Sequence, residues 1–199
     1  MTRIFQPLLL FIALLQPFNA HSEGWEFDFE RTKFGDFALG LAGGILAHEA
    51  GHYVVATSKG YKVGRDGLSI TYPGAKFAGT DQLKIASAGF QTQWLLAELI
   101  FRNGSGKQLK SAPDDFGAGI VCAHLAITAA YAIYLKDHQL GDVVGMSEAT
   151  GLSNNQIMLA LAVPGALDAW RLFGNDVPEW VPELSVLGKG LGIAWAWTY

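Results

Sequence analysis

The chain has 199 residues, half of them hydrophobic and only 16% charged, with 24 glycines, a mean hydropathy of +0.23 and a net charge of −4. So small and unclustered a charge gives no basic footprint for nucleic acid, and the length permits one compact domain. Cys122 is the single cysteine, so neither a disulfide nor a cysteine zinc cluster forms within the chain, and it reads as a small buried apolar residue.

At the N-terminus Arg3 is followed by the apolar run Pro7-Leu8-Leu9-Leu10-Phe11-Ile12-Ala13-Leu14-Leu15, and Ala20-His21-Ser22 offers small residues for cleavage. Residues 1–22 therefore read as a signal peptide or as an uncleaved first membrane span, leaving 23–199 as a single membrane-embedded domain. Either way residues 23–33 are expected outside the cytoplasm.

Five apolar stretches follow, at 37–57, 83–101, 116–135, 156–173 and 184–199. Most approach the roughly 20 residues needed to cross a bilayer. The last is the weakest and suits the interface, with Trp180, Trp195, Trp197 and Tyr199 as headgroup-level anchors. Abundant glycine and alanine suit helices packed closely in lipid. Between the first two stretches, Tyr61-Lys62-Val63 and Leu68-Ser69-Ile70-Thr71-Tyr72 alternate as short strands, with Gly64-Arg65-Asp66-Gly67 as the turn and Pro73-Gly74 as the stop. The expected fold is an α-helical polytopic membrane protein, a bundle of about 4–6 transmembrane helices with a small β-hairpin after the first long one.

The first long stretch contains His48-Glu49-Ala50-Gly51-His52. On a helix, positions i and i+4 share a face, so His48 and His52 can present two imidazole nitrogens to one Zn2+ ion. Glu49 lies to the side of that pair, where its carboxylate can take a proton from an activated water and pass it to a leaving amine. Ionisable groups at membrane depth are costly and usually mark function.

A third ligand is needed, and orientation helps to choose it. The loop from 58 to 82 carries Lys59, Lys62, Arg65 and Lys76 against Asp66 and Asp81, which favours the cytoplasm, although Arg102, Lys107 and Lys110 make the next loop basic too. His48 is then roughly nine residues, or about 14 Å, from the cytoplasmic end of its span. The third stretch runs parallel to the first, and Asp142 follows its end in Leu140-Gly141-Asp142-Val143-Val144-Gly145. That placement favours Asp142 over Asp168, which lies late in a span of opposite direction. His124 sits early in the third stretch, away from the expected zinc level. His138 and Glu148 have no geometric argument behind them, and Glu98 is expected to snorkel or to pair with a neighbouring helix.

These residues resemble the site-2 protease family of intramembrane zinc metalloproteases. His48-Glu49-Ala50-Gly51-His52 is similar to the family's H-E-x-G-H in a membrane helix, and Gly60-Tyr61-Lys62-Val63 with Ser69-Ile70-Thr71-Tyr72-Pro73-Gly74 resembles its strand-forming loop. Ala88-Gly89-Phe90-Gln91-Thr92-Gln93 is similar to the A-G-P-x-x-N pattern opening its next helix, with Phe90 in place of proline and Gln93 in place of asparagine. Glutamine keeps an amide able to hydrogen-bond an unfolded substrate backbone. The family's aspartate ligand sits in an N-x-x-P-x-x-x-L-D-G type motif; Leu140-Gly141-Asp142 scrambles that order, while Pro164 to Asp168 keeps proline and Leu-Asp but is followed by Ala169. The resemblance alone leaves both aspartates open.

What the resemblance implies is a zinc metalloendopeptidase in residues 23–199 that cleaves membrane-embedded protein substrates, with Glu49 as catalytic base and acid and His48, His52 and Asp142 on Zn2+. Its partners would be the lipid bilayer and a membrane protein substrate. The hairpin would assist by pairing with the extended substrate. Such a polytopic chain with an N-terminal signal points to the bacterial inner membrane. Two other readings use the same residues: a non-proteolytic membrane protein with a structural zinc site, and a transporter subunit with a proton or metal-ion path.

Overall fold

The five apolar stretches form five long helices, and a sixth, short helix lies between the third and fourth. The computed structural model describes residues 24–67, 69–103 and 113–199; the signal or first-span reading of residues 1–22 lies outside them. In chain order the elements are α1 (Phe34–Ser58), β1 (Gly64–Asp66), β2 (Ser69–Thr71), α2 (Gly79–Asn103), α3 (Asp115–Ala130), α4 (Asp142–Thr150), α5 (Asn154–Phe173) and α6 (Trp180–Thr198). A π-helical turn at Tyr131–Leu135 extends α3.

The α1–α3 contact sets the frame. Residues 40, 44, 48 and 52 recur at a spacing of four and so share one face of α1, and all of them are buried. A methyl group on Gly40 would run into the carbonyl of Phe116, one on Gly119 into that of Phe37, while Gly44 meets Ala123. Only glycine permits so close a backbone approach. Because 40 lies beside 116–119 and 44 beside 120–123, α1 and α3 run parallel.

Helix α2 packs against α1, α3, α4 and α6. Its Leu83, Phe90 and Trp94 join Val143 and Met146 of α4 and Ile157, Met158 and Leu161 of α5 in the largest apolar core. Helix α6, expected at the interface, packs against α5 and α2 along its length and buries Val181, Ser185, Val186 and Lys189.

The hairpin exists but is shifted from its expected register. Gly64 pairs with Thr71, Arg65 with Ile70 and Asp66 with Ser69, so residues expected as the turn are strand. The left-handed backbone falls at Gly67, at φ 59°, which moves the turn three residues on. Tyr61 is spent elsewhere: its N–H donates to the Ala56 carbonyl at the end of α1, and its hydroxyl bonds Asp81 and the Ala78 N–H.

Among the described residues one helical segment, Asp115–Leu135, is long and apolar enough to cross a membrane. On the other long helices several polar residues point inward while apolar ones face outward. His48, His52, Gln91, Gln93, Glu98, Asp168, Arg171 and Lys189 are buried, whereas Leu39, Leu46, Val54, Leu159, Val163 and Leu191 are exposed.

Candidate metal centre

Helix α1 supplies His48 and His52, and the end of α3 supplies the third group. The π turn closes with the Lys136 N–H on the Tyr131 carbonyl, and two further turns, His138 onto Leu135 and Gly141 onto His138, bring the chain to Asp142 at the first position of α4. The Asp142 N–H donates to the Tyr131 hydroxyl at 3.2 Å, tying the start of α4 to the π turn. Asp142 Oδ2 then lies 3.1 Å from His48 Nε2 and 3.3 Å from His52 Nε2, and the two Nε2 atoms are 3.2 Å apart. These three residues could hold a metal ion.

The partners of the other ring nitrogens fix the chemistry. His48 Nδ1 faces Gln93 Oε1 at 3.1 Å, and His52 Nδ1 faces the Ile85 carbonyl at 2.7 Å. Both partners only accept, so each Nδ1 carries the proton and donates it. The two Nε2 atoms are left with lone pairs aimed at each other and at a carboxylate. Three acceptors about 3.2 Å apart repel unless a cation sits between them, and outer-shell bonds of this kind are what orient histidine ligands. Burial by itself would raise the Asp142 carboxyl pKa, but positive charge placed on the facing imidazoles of His52 and His48 outweighs it and holds the carboxyl well below the usual range, so these three groups together demand a cation, whether a proton or a metal ion.

Gly89 explains why the space is there. A β-carbon at this position would lie 2.5 Å from His48 Nε2, His48 Cε1 and His52 Nε2. Only a residue with no side chain leaves the ring nitrogens uncovered. Phe90, next along, packs edge-on to His48 at 5.3 Å and to Tyr131 at 5.3 Å, closing that side.

Glu49 stands beside the triad rather than in it. Its Oε2 accepts the backbone N–H of Ile70 in β2 at 2.8 Å. Tyr72, just past β2, is half-buried between the two acidic groups: burial first, then the carboxylates of Asp142 and Glu49, pushes its phenol pKa up beyond the ordinary tyrosine range.

The remaining candidates lie elsewhere. Asp168 is completely buried and accepts from Ser185 Oγ at 2.6 Å, Arg171 Nη1 at 3.1 Å and, as an ion pair, Lys189 Nζ at 2.5 Å. His124 Nε2 lies 3.4 Å from the same carboxylate. Glu98 does pair with its neighbours, taking a two-pronged contact from Arg171 at 2.5 and 3.1 Å and one from Lys189 at 2.6 Å. Glu148 accepts from Gln82 at an exposed position, and His138 is an exposed turn residue. Cys122 is half-buried, packed on the smaller apolar core.

Gln93 is buried and its carbonyl oxygen accepts from His48 Nδ1, a contact the sequence does not announce, while its Nε2 has no hydrogen-bond partner among the described residues. Two site residues escape the sequence reading: Gly89, although it stands inside the Ala88-Gly89-Phe90-Gln91-Thr92-Gln93 motif, and Tyr131. A tyrosine eleven residues before the aspartate carries no recognisable signal.

No family model matches the chain, and no curated protein or solved structure matches it.

Proposed function

We propose that the chain is a zinc metalloendopeptidase of the site-2 protease kind, acting on membrane protein substrates. The observation that carries this reading is the convergence of two Nδ1-protonated imidazoles and one carboxylate with nothing but acceptor atoms facing inward. A tetrahedral ion with bonds of about 2.0 Å needs ligand atoms roughly 3.3 Å apart, and the triangle observed has that size. Two imidazoles and one carboxylate are a hydrolytic zinc donor set with a fourth position left for water or substrate.

When bound, zinc supplies Lewis acidity toward a peptide carbonyl and a water molecule. The chain supplies the rest. Glu49 takes a proton from the attacking water at its carboxylate and returns it to the leaving amine nitrogen. Gln93 and the Ile85 carbonyl hold the two imidazoles in one tautomer, and Phe90 excludes water from one side.

The membrane setting, the inner membrane as location and the polytopic arrangement belong to the same proposal. What supports a membrane setting is one helical segment long and apolar enough to span, together with four charged side chains buried inside and leucine, valine and tryptophan exposed on the helices. Exposed large apolar residues in this number suit a membrane or partner contact.

The test is zinc content and proteolysis in detergent-purified full-length protein, with fluorescein-labelled casein as an unfolded substrate. Near-stoichiometric zinc in wild type and in Glu49→Gln, with hydrolysis only in wild type, is the expected result. Equal hydrolysis by both would contradict it, and zinc without any hydrolysis would favour a structural site.

A further inference from the structure

Among the described residues, one hydrogen bond joins the two-stranded hairpin to the site, from the backbone N–H of Ile70 to Glu49. In an antiparallel pair, opposed residues alternate between exchanging both backbone hydrogen bonds and exchanging none. Ile70 opposes Arg65, and its N–H goes to Glu49 Oε2 at 2.8 Å, not to Arg65. The Arg65–Ile70 pair is therefore a non-bonded pair, and the Ile70 amide lies on the outer edge of β2, aimed at α1. β2 is a strand that packs on α1.

We infer that the Ile70 N–H is the positioning group of Glu49, so that the hairpin holds the base of the site in place; this rests on the metalloprotease reading. A backbone donor on an ionised carboxylate is a short, charge-assisted bond that fixes the side chain's direction. It engages one oxygen of Glu49, and among the described residues Oε1 accepts no hydrogen bond and is left to receive a proton. Glutamate has several free rotations, and on a helix flank it would otherwise sample them. Ile70 is a positioning residue through its main chain, and its side chain is incidental. The same N–H cannot also serve a substrate strand, so a peptide joining β2 at this point would have to displace Glu49 first.

The register supplies a clean probe. Proline at 70 deletes an N–H that takes no part in the ladder, and proline at 65 deletes the matching N–H on the opposite edge, where no glutamate waits. In full-length protein, Ile70→Pro is expected to keep its zinc and lose casein hydrolysis by about tenfold or more, in kcat and not in KM, while Arg65→Pro stays within about twofold, since a positioned base contributes on the order of 10²-fold or more. The second readout needs neither zinc nor activity: in protein labelled with 15N-isoleucine, the Ile70 amide is protected from exchange, and its resonance moves and loses protection in Glu49→Ala. An Ile70 amide that exchanges freely in wild type, or is indifferent to Glu49→Ala, overturns the inference even if the protein fails as a protease. Equal loss in both proline variants, with zinc lost alongside, overturns it in favour of a purely structural hairpin. Wild type without zinc or hydrolysis would instead sink the metalloprotease reading, and the amide result would still show whether the bond exists.

Discussion

Two buried polar clusters sit on opposite sides of α2, and their difference is the clearest guide to what each does. Around Asp168 and Glu98 the formal charges balance: two carboxylates face Arg171 and Lys189, Ser185 adds a donor, and the Arg171 guanidinium lies over the Phe101 ring at 3.9 Å, while His124 beside Asp168 keeps both ring nitrogens without a hydrogen-bond partner among the described residues. Around Asp142 they do not balance. Two lone pairs and a carboxylate converge, and the imidazole protons all point away. A cluster whose charges cancel ties helices together; one with a surplus of acceptors calls for a cation. Aspartate alone would not tell the two sites apart.

The contrast can be broken most severely at Gly89. Gly89→Ala puts a methyl group against three ring atoms of histidines already pinned by Gln93 and Ile85, so zinc content should fall to background while the Asp168 cluster stays intact. Elemental analysis of folded protein checks this, and retained zinc would show that the rings have room to move. Next in size is Lys189→Met, which leaves the paired carboxylates Glu98 and Asp168 short of one cation. Breaking a buried pair from one side costs about 3–5 kcal/mol, read in denaturant unfolding, with zinc per folded molecule unchanged.

Gln93→Leu sharpens the comparison from the metal side. Removing the acceptor of the His48 Nδ1 proton should weaken zinc binding by about 10–100-fold in a chelator competition, with little loss of fold. The smallest effect is expected from Tyr131→Phe, which deletes the hydroxyl that accepts the Asp142 N–H. A lost hydrogen bond of this kind costs about 0.5–1.5 kcal/mol, so chelator competition should show a shift of no more than roughly tenfold.

The parts legible in sequence were those carried by local spacing or by direction. His48 and His52 follow from a spacing of four on one helix, and Asp142 from the parallel run of the first and third stretches, which the Gly40–Phe116 approach bears out as geometry. The hairpin was legible as an element, but its register was not: either Gly64 or Gly67 suits a turn, and Tyr61 was claimed by the helix ends. Charge balance was out of reach, because the partners of Glu98 stand 73 and 91 residues away in the chain. The contact of Gln93 with His48 is out of reach for a related reason: nothing local marks an amide as facing a histidine 45 residues away.

Metal analysis of wild type beside Asp142→Ala and Asp168→Ala tests the central claim most directly. The account predicts close to one zinc per chain in wild type, its loss in Asp142→Ala, and its retention in whatever fraction of Asp168→Ala folds. Well-folded wild type without zinc, or zinc that survives Asp142→Ala and departs with Asp168, would contradict it.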